Sequence, residues 1–266
     1  NSNSKTFDFI QIIFSMFKKY YKLTKILIPI ETASGERRVS ATPGAVKKLK
    51  GLGCEVFVES SAGELSGFND TLYKESGGEI FNESNINIWE NADVVFCVQT
   101  PSESNLGKLK KGAILLGLLN PYANKKLQNI IISKKISALS MELLPRISRA
   151  QSSDVLSSQA NIAGYKAVLL AASELDRYFP MLMTAAGTVQ PAKVVVLGGG
   201  VAGLQAVATA KRLGAIVFVS DIRPAVKEQV ESLGARFIEL PEIDEKPGES
   251  GGYAKAVTPE FLSKQK

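Results

Sequence analysis

Apolar and polar positions alternate with two different periods along this chain, and the changes of period mark its elements. From Lys25 short runs of β-branched and apolar residues recur, each followed by a stretch with helical spacing. The runs at Lys25–Pro29, Glu55–Val58, Asp93–Val98, Ala113–Leu118 and Ile136–Leu139 predict strands. Between them, helical patterns fall near Pro43–Leu52, Asn69–Glu75, Ser104–Lys110 and Asn124–Ser133. Thr42 reads as an N-cap with Pro43 at the first helical position, where its missing N–H costs nothing. Strands alternating with helices predict a parallel sheet covered on both faces.

The pattern then changes. Residues 146–159 are polar and without period. Asn161 to Tyr178 predicts a long Ala-rich helix, and Met181 to Pro191 a turn-rich crossing punctuated by Gly187 and Pro191. A second unit starts at Ala192, with strands at Lys193–Leu197, Ala215–Ser220 and Arg236–Leu240 and a helix near Pro224–Leu233. The fold class is therefore α/β: two Rossmann-like parallel-sheet domains joined by a long helix. The domains are expected at 25–150 and 192–266, with residues 151–191 as linker loop and helix. A doubly wound dinucleotide fold has about six strands, and three are legible in the second unit. That leaves Lys193–Leu197 at an uncovered sheet edge, so the second domain reads as C-terminally incomplete, its other half expected in the intact protein.

Residues 1–24 stand apart. Phe7, Ile10, Phe14, Phe17 and Tyr21 recur at helical spacing, and Lys18, Lys19 and Lys22 follow. The run is too short to span a bilayer, and Asp8 fits a secretory signal poorly. The segment reads as an amphipathic helix or as a linker from an upstream domain, on a fused or trimmed chain.

Composition narrows the chemistry. The chain has no histidine, which removes the commonest general acid/base and metal ligand. The net charge of +6 comes from scattered or paired basic residues, which argues for solubility over nucleic-acid binding. Cys54 and Cys97 lack metal-site spacing and read as buried thiols. Trp89 reads as core.

The sharpest motif is Gly198-Gly199-Gly200-Val201-Ala202-Gly203, set between a strand and a helix. Gly198 would permit the tight turn, Gly200 the approach of a pyrophosphate, and Gly203 close helix packing. The helix N-terminus would offer its amides to the phosphates. The next strand ends on Asp221, where a carboxylate can accept both ribose hydroxyls, so NAD is favoured over NADP. Ile222 and Arg223 complete this turn; Arg223 reads as surface or adenosine packing. The loop after Pro241, with Gly252 and Tyr253, reads as a mobile lid.

Four stretches together resemble the NAD(H)-binding domain of proton-translocating NAD(P) transhydrogenase, in the family that also includes alanine dehydrogenase. They are Pro145 to Gln159, Thr184 to Val189, Gly200 to Ala206, and Gly251 to Lys255. The resemblance implies NAD(H) held between two Rossmann-like lobes and direct hydride exchange with NADP(H) on a partner domain, coupled by a membrane domain to proton translocation. It implies a homodimer, contacting through the linker helix, in a membrane-associated complex. It assigns Arg146, Gln151, Asp154 and Ser157 to the nicotinamide with its linked ribose and phosphates, Gln151 and Asp154 closest to the chemistry, and Ser148 and Arg149 of the same loop to cofactor binding. Tyr253 would lie on the closing loop.

Two other functions are consistent with the same fold. An alanine dehydrogenase needs acid/base help. The family places a catalytic His and a substrate Lys in stretches that here read Leu118-Leu119-Asn120-Pro121 and Val98-Gln99-Thr100-Pro101. Arg37 and Arg38 resemble the family position near that enzyme's substrate carboxylate. The other alternative is an NAD(H)-sensing module without catalysis of its own.

Overall fold

In the computed structural model, residues 24–82 and 87–239 are described. The predicted N-terminal helix and the Gly252–Tyr253 loop lie outside them. The chain divides into two compact units, residues 1–154 and 155–266.

The first unit is built on a six-stranded sheet. Its strands are β1 (Lys25–Ile28), β2 (Glu55–Glu59), β3 (Glu79–Phe81), β4 (Val94–Gln99), β5 (Ile114–Leu118) and β6 (Ser137–Ser140). Their order is β3-β2-β1-β4-β5-β6 and every pairing is parallel. This is the doubly wound order, with the reversal between β1 and β4. The helices α1 (Pro43–Gly51), α2 (Asp70–Glu75), α3 (Asn87–Asn91), α4 (Glu103–Lys108) and α5 (Lys125–Lys134) connect them. Thr42 caps α1, its hydroxyl accepting from the Ala45 amide.

Two apolar cores flank the sheet, as a parallel sheet buried on both faces requires. One gathers Leu27, Val95, Leu115 and Trp89, and the other Ile26, Ile28, Val56, Val58 and Tyr73. Cys54 and Cys97 are both free and buried, Cys54 in the second core and Cys97 in the first. Strand β3 and helix α3 were not among the expected elements. At three and five residues they are too short to show a period.

The second unit opens with the long helix α6 (Val155–Glu174). It begins six residues before the expected start, through Ser157, Ser158 and Gln159. The expected turn-rich crossing is an antiparallel hairpin of β7 (Leu182–Thr184) and β8 (Gly187–Val189). Strands β9 (Lys193–Leu197), β10 (Ile216–Ser220) and β11 (Arg236–Phe237) form a parallel sheet in the order β11-β10-β9. Helix α7 (Val201–Arg212) joins β9 to β10, and α8 (Val226–Ser232) joins β10 to β11. Among the described residues β9 lies at a sheet edge, and Val195 and Leu197 on it are 56% and 78% exposed.

Helices α6 and α7 cross where Gly164 meets Ala202. A Cβ at Gly164 would stand 2.1 Å from the Ala202 carbonyl oxygen, so only glycine allows this approach. Asn161 donates to the Gln205 side chain at 3.0 Å in the same crossing.

Candidate dinucleotide site

The glycine turn after β9 assigns a different task to each glycine. Gly198 has φ +95° and its amide donates to the Ser220 carbonyl at 2.8 Å, turning the chain out of the strand. A Cβ at Gly203 would lie 1.8 Å from the Gly198 oxygen, so α7 sits on the turn only because residue 203 has no side chain. Gly200 is the N-cap of α7 and has open space where a Cβ would stand. Val201 begins the helix and the first turn carries no acid. The first amides of α7 have no helical acceptor and present the positive end of the helix dipole. This cradle fits a pyrophosphate, because glycine removes the side chains that would keep an anion from those amides.

Asp221 closes the turn from the other side. Its Oδ2 accepts from the Gly199 amide at 2.7 Å. Gly199 was no part of the expected site. A Cβ there would meet Val226 Cγ1 at 2.2 Å, so the middle of the three consecutive glycines is a packing requirement as well as an anchor for the acid. Arg223, expected as surface or adenosine packing, instead grips Asp221. Its Nε donates to Oδ1 at 3.0 Å, its Nη2 to Oδ2 at 2.9 Å, and its amide to Oδ1 at 2.8 Å. Asp221 is 8% exposed. Burial alone would raise its pKa; the Arg223 side chain and the two amides outweigh that and hold it below the usual value. Ile222 lies half-buried between them.

The second group of expected residues follows the carboxyl end of β6. Residues 148–153 form a 3₁₀ turn, the Asp154 amide bonding back to the Gln151 carbonyl. Arg146, Ser148, Arg149 and Gln151 are exposed and Asp154 is half-buried, whereas Ser153 is buried. Ser157 stands in the first turn of α6. Five of the loop residues thus belong to the first unit. Ser157 shares the second unit with the glycine turn.

A third cluster sits at the carboxyl ends of β1 and β4, where the first sheet reverses its order. Glu31 accepts from the Val98 and Gln99 amides, at 2.5 and 3.0 Å. Arg38 donates to both oxygens of Glu36, at 2.7 and 2.6 Å, and Gln99 donates to Glu36 at 3.1 Å. Arg38 pulls the Glu36 pKa down to about 2, while burial pushes Glu31 up. Asn120, at the end of β5, takes φ +44° and donates its amide to Glu142. Among the described residues no His/Cys/Asp/Glu cluster could hold a metal.

Comparison with known proteins agrees with this geometry. Residues 27–163 match the family described as alanine dehydrogenase/PNT, N-terminal domain, and residues 167–264 its C-terminal domain. The first part of the NAD(P) transhydrogenase alpha subunit of Rhodospirillum rubrum is 50% identical over 247 residues, covering 91% of this chain and 64% of its own length. The Haemophilus influenzae NAD(P) transhydrogenase subunit alpha is 44% identical over 234 residues, 88% of this chain and 45% of that protein. This chain thus spans about half to two thirds of these relatives. Among solved structures, the transhydrogenase from Sinorhizobium meliloti superposes with a TM-score of 0.77 at 47% identity, over 81% of this chain and 62% of that one. An L-alanine dehydrogenase gives 0.69 at 29% identity, over 80% and 60%.

Proposed function

Because the chain belongs to the alanine dehydrogenase/PNT family, we propose that it is the NAD(H)-binding component of an NAD(P) transhydrogenase. In this reading hydride passes directly between NAD(H) on this chain and NADP(H) on a partner domain, and a membrane domain couples the exchange to proton translocation. The observation that carries it is the closed turn in which the Gly199 amide and Arg223 fix Asp221 beside an acid-free helix N-terminus.

Bound NAD(H) would supply the hydride; this chain supplies position and electrostatics. The α7 amides and the Gly198–Gly203 turn would hold the pyrophosphate. Asp221 would accept the ribose hydroxyls, and its charge disfavours a 2′-phosphate. Arg146, Ser148, Arg149, Gln151, Asp154 and Ser157 would surround the nicotinamide end. Exchange of hydride between two nicotinamides needs near-attack geometry and no proton donor, so a chain without histidine suffices. Gly252 and Tyr253 would close over the nucleotide.

The complex would be membrane-associated through its partners. No described helix is long and apolar enough to cross a membrane. A homodimer through α6 is supported by Ile162, Tyr165 and Leu170, which are 58%, 49% and 52% exposed on it.

Alanine dehydrogenase chemistry is less well supported. It needs acid/base groups, and the corresponding positions hold Gln99 and Asn120. Glu36 already occupies the Nε–Nη2 edge of Arg38.

The deciding experiment mixes this protein with an NADP-binding transhydrogenase domain and follows hydride transfer from NADH to an NADP⁺ analogue. Rapid transfer is expected. NADH binding without transfer would make the chain a sensing module instead.

A further inference from the structure

We propose that a lysine-lined depression at the amino edge of the first unit's sheet docks an acidic segment of a partner protein. The depression encloses about 530 Å³ and is lined by Lys108, Lys110, Lys111, Lys134 and Lys135, with Glu90 the one acid among its described walls. Lys108 ends α4, Lys110 and Lys111 lie in the turn into β5, and Lys134 and Lys135 lead from α5 into β6. The two turns are tied together by the Gly112 amide, which donates to the Lys135 carbonyl at 3.1 Å. The loop carrying Gln151 and Asp154 follows the opposite, carboxyl edge of the same sheet. A five-residue strand such as β5 separates the edges by about 16 Å. Within the first unit the depression is therefore a separate surface from the loop that carries Gln151 and Asp154.

The charges there are poorly compensated. Lys110 pairs with Asp93 and donates to the Asn91 carbonyl, and Lys108 donates to Asn105. Lys111, Lys134 and Lys135 have no ion-pair partner among the described residues. Gathering like charges in one concavity costs free energy through mutual repulsion, which an anionic partner relieves. Helix dipoles account for part of the cluster, since cations are favoured at helix C-termini and Lys108 and Lys134 sit there. They do not account for Lys110 and Lys111, which lie outside the helices. The dipole of α5 favours a cation at Lys135 too, but this C-cap residue takes φ +52°. Glycine or asparagine ordinarily fills that left-handed position without the Cβ penalty.

The shape selects the partner. An extended peptide can enter and set a carboxylate against each lysine. Ile132, 74% exposed and next to Ser133 in the lining, offers it an apolar contact.

A labelled glutamate-rich peptide, titrated against the whole chain at low ionic strength, tests this by anisotropy. Binding that weakens with salt is expected. Lys111→Glu with Lys134→Glu should weaken it at least about tenfold, while the equal charge change Lys47→Glu with Lys74→Glu, on exposed positions elsewhere in the unit, should leave it nearly unchanged. Lys135→Gly should raise Tm and still weaken binding, an outcome that a purely structural lysine would not give. Equal losses in both double variants, no binding of the peptide, or binding only to anionic phosphatidylglycerol vesicles would overturn the proposal. So would a Lys135→Gly variant with lower Tm or unchanged binding.

Discussion

Arg223 holds both carboxylate oxygens of Asp221 in a two-pronged ion pair, Nε to Oδ1 and Nη2 to Oδ2, two residues apart in the chain. Such a pair fixes the acid's orientation as well as its charge. With the Gly199 amide also on Oδ2, the carboxylate is set before any ribose arrives. In the proposed site Arg223 would therefore act through Asp221, and the two together would set its selectivity.

Nucleotide preference should follow. Asp221→Asn removes the charge that a 2′-phosphate would face. NADH should bind more weakly, and the ratio of NADPH to NADH affinity should rise about tenfold or more, since charge juxtapositions of this kind are worth at least ~1.4 kcal/mol. Arg223→Ala leaves the carboxylate without its counter-charge, so NADPH should lose more affinity than NADH. Parallel fluorescence titrations with the two nucleotides read both ratios. Equal losses for both nucleotides in each variant would remove Asp221 and Arg223 from the selectivity argument.

The glycines of the turn should separate folding from binding. Gly203→Ala drives a methyl into the Gly198 carbonyl and should cost at least about 2 kcal/mol, seen as a lower urea midpoint. Gly200→Ala meets nothing within 4 Å and has φ −75°. It should cost no more than about 1 kcal/mol as a changed N-cap. It should nevertheless weaken NADH about tenfold, because the methyl stands where the phosphates approach. A stable Gly203→Ala variant would contradict the packing role of Gly203. A Gly200→Ala variant with unchanged affinity would contradict the phosphate role of Gly200.

The sequence makes legible whatever is periodic or strongly punctuated. The strand pattern from Lys25 to Leu139 yields the parallel sheet, and Gly198 to Gly203 between β9 and α7 yields the turn. Short and non-periodic features escape it. Strand β3 has three residues, of which only Phe81 is buried. The β7–β8 hairpin turns through Ala185 and Ala186, with no Asn-Gly or Asp-Gly signal. The start of α6 hides under Ser157 and Ser158, residues that favour caps and turns when read alone. The Arg223–Asp221 pair is legible only as two charges near each other. Its geometry depends on how the chain turns after β10, which no spacing rule encodes.

Glu36 and Arg38 should leave a signature in acid. The Glu36 pKa is depressed to about 2 from an ordinary 4.5, so its ion pair stabilises the fold above about pH 4.5. That contribution is lost as the pH falls from there toward 2. Glu31 has the opposite sign: its pKa is raised, so its contribution weakens as the pH rises through that value. Thermal unfolding of Glu36→Gln, measured from pH 7 to pH 2, should show a Tm deficit at neutral pH that narrows below about pH 4.5. The deficit should also shrink in high salt, because Arg38 is part-exposed. A deficit constant across the pH range would show that Glu36 acts through packing alone.

The loop after β6 offers the most direct test of the proposed chemistry. Gln151 is exposed and Asp154 half-buried, and both lie within or just after one 3₁₀ turn, so neither carries the core of its unit. Gln151→Asn and Asp154→Asn keep polar side chains there and should leave Tm nearly unchanged. Each should slow single-turnover hydride transfer about tenfold or more, since a displacement of about 1 Å from near-attack geometry costs up to 10²-fold. NADH affinity should change much less than the rate, because the glycine turn and Asp221, rather than this loop, would bear most of the binding. If the rate and the affinity fall together, the loop binds the cofactor without aligning it. If turnover is unchanged in both variants, the nicotinamide does not meet this loop.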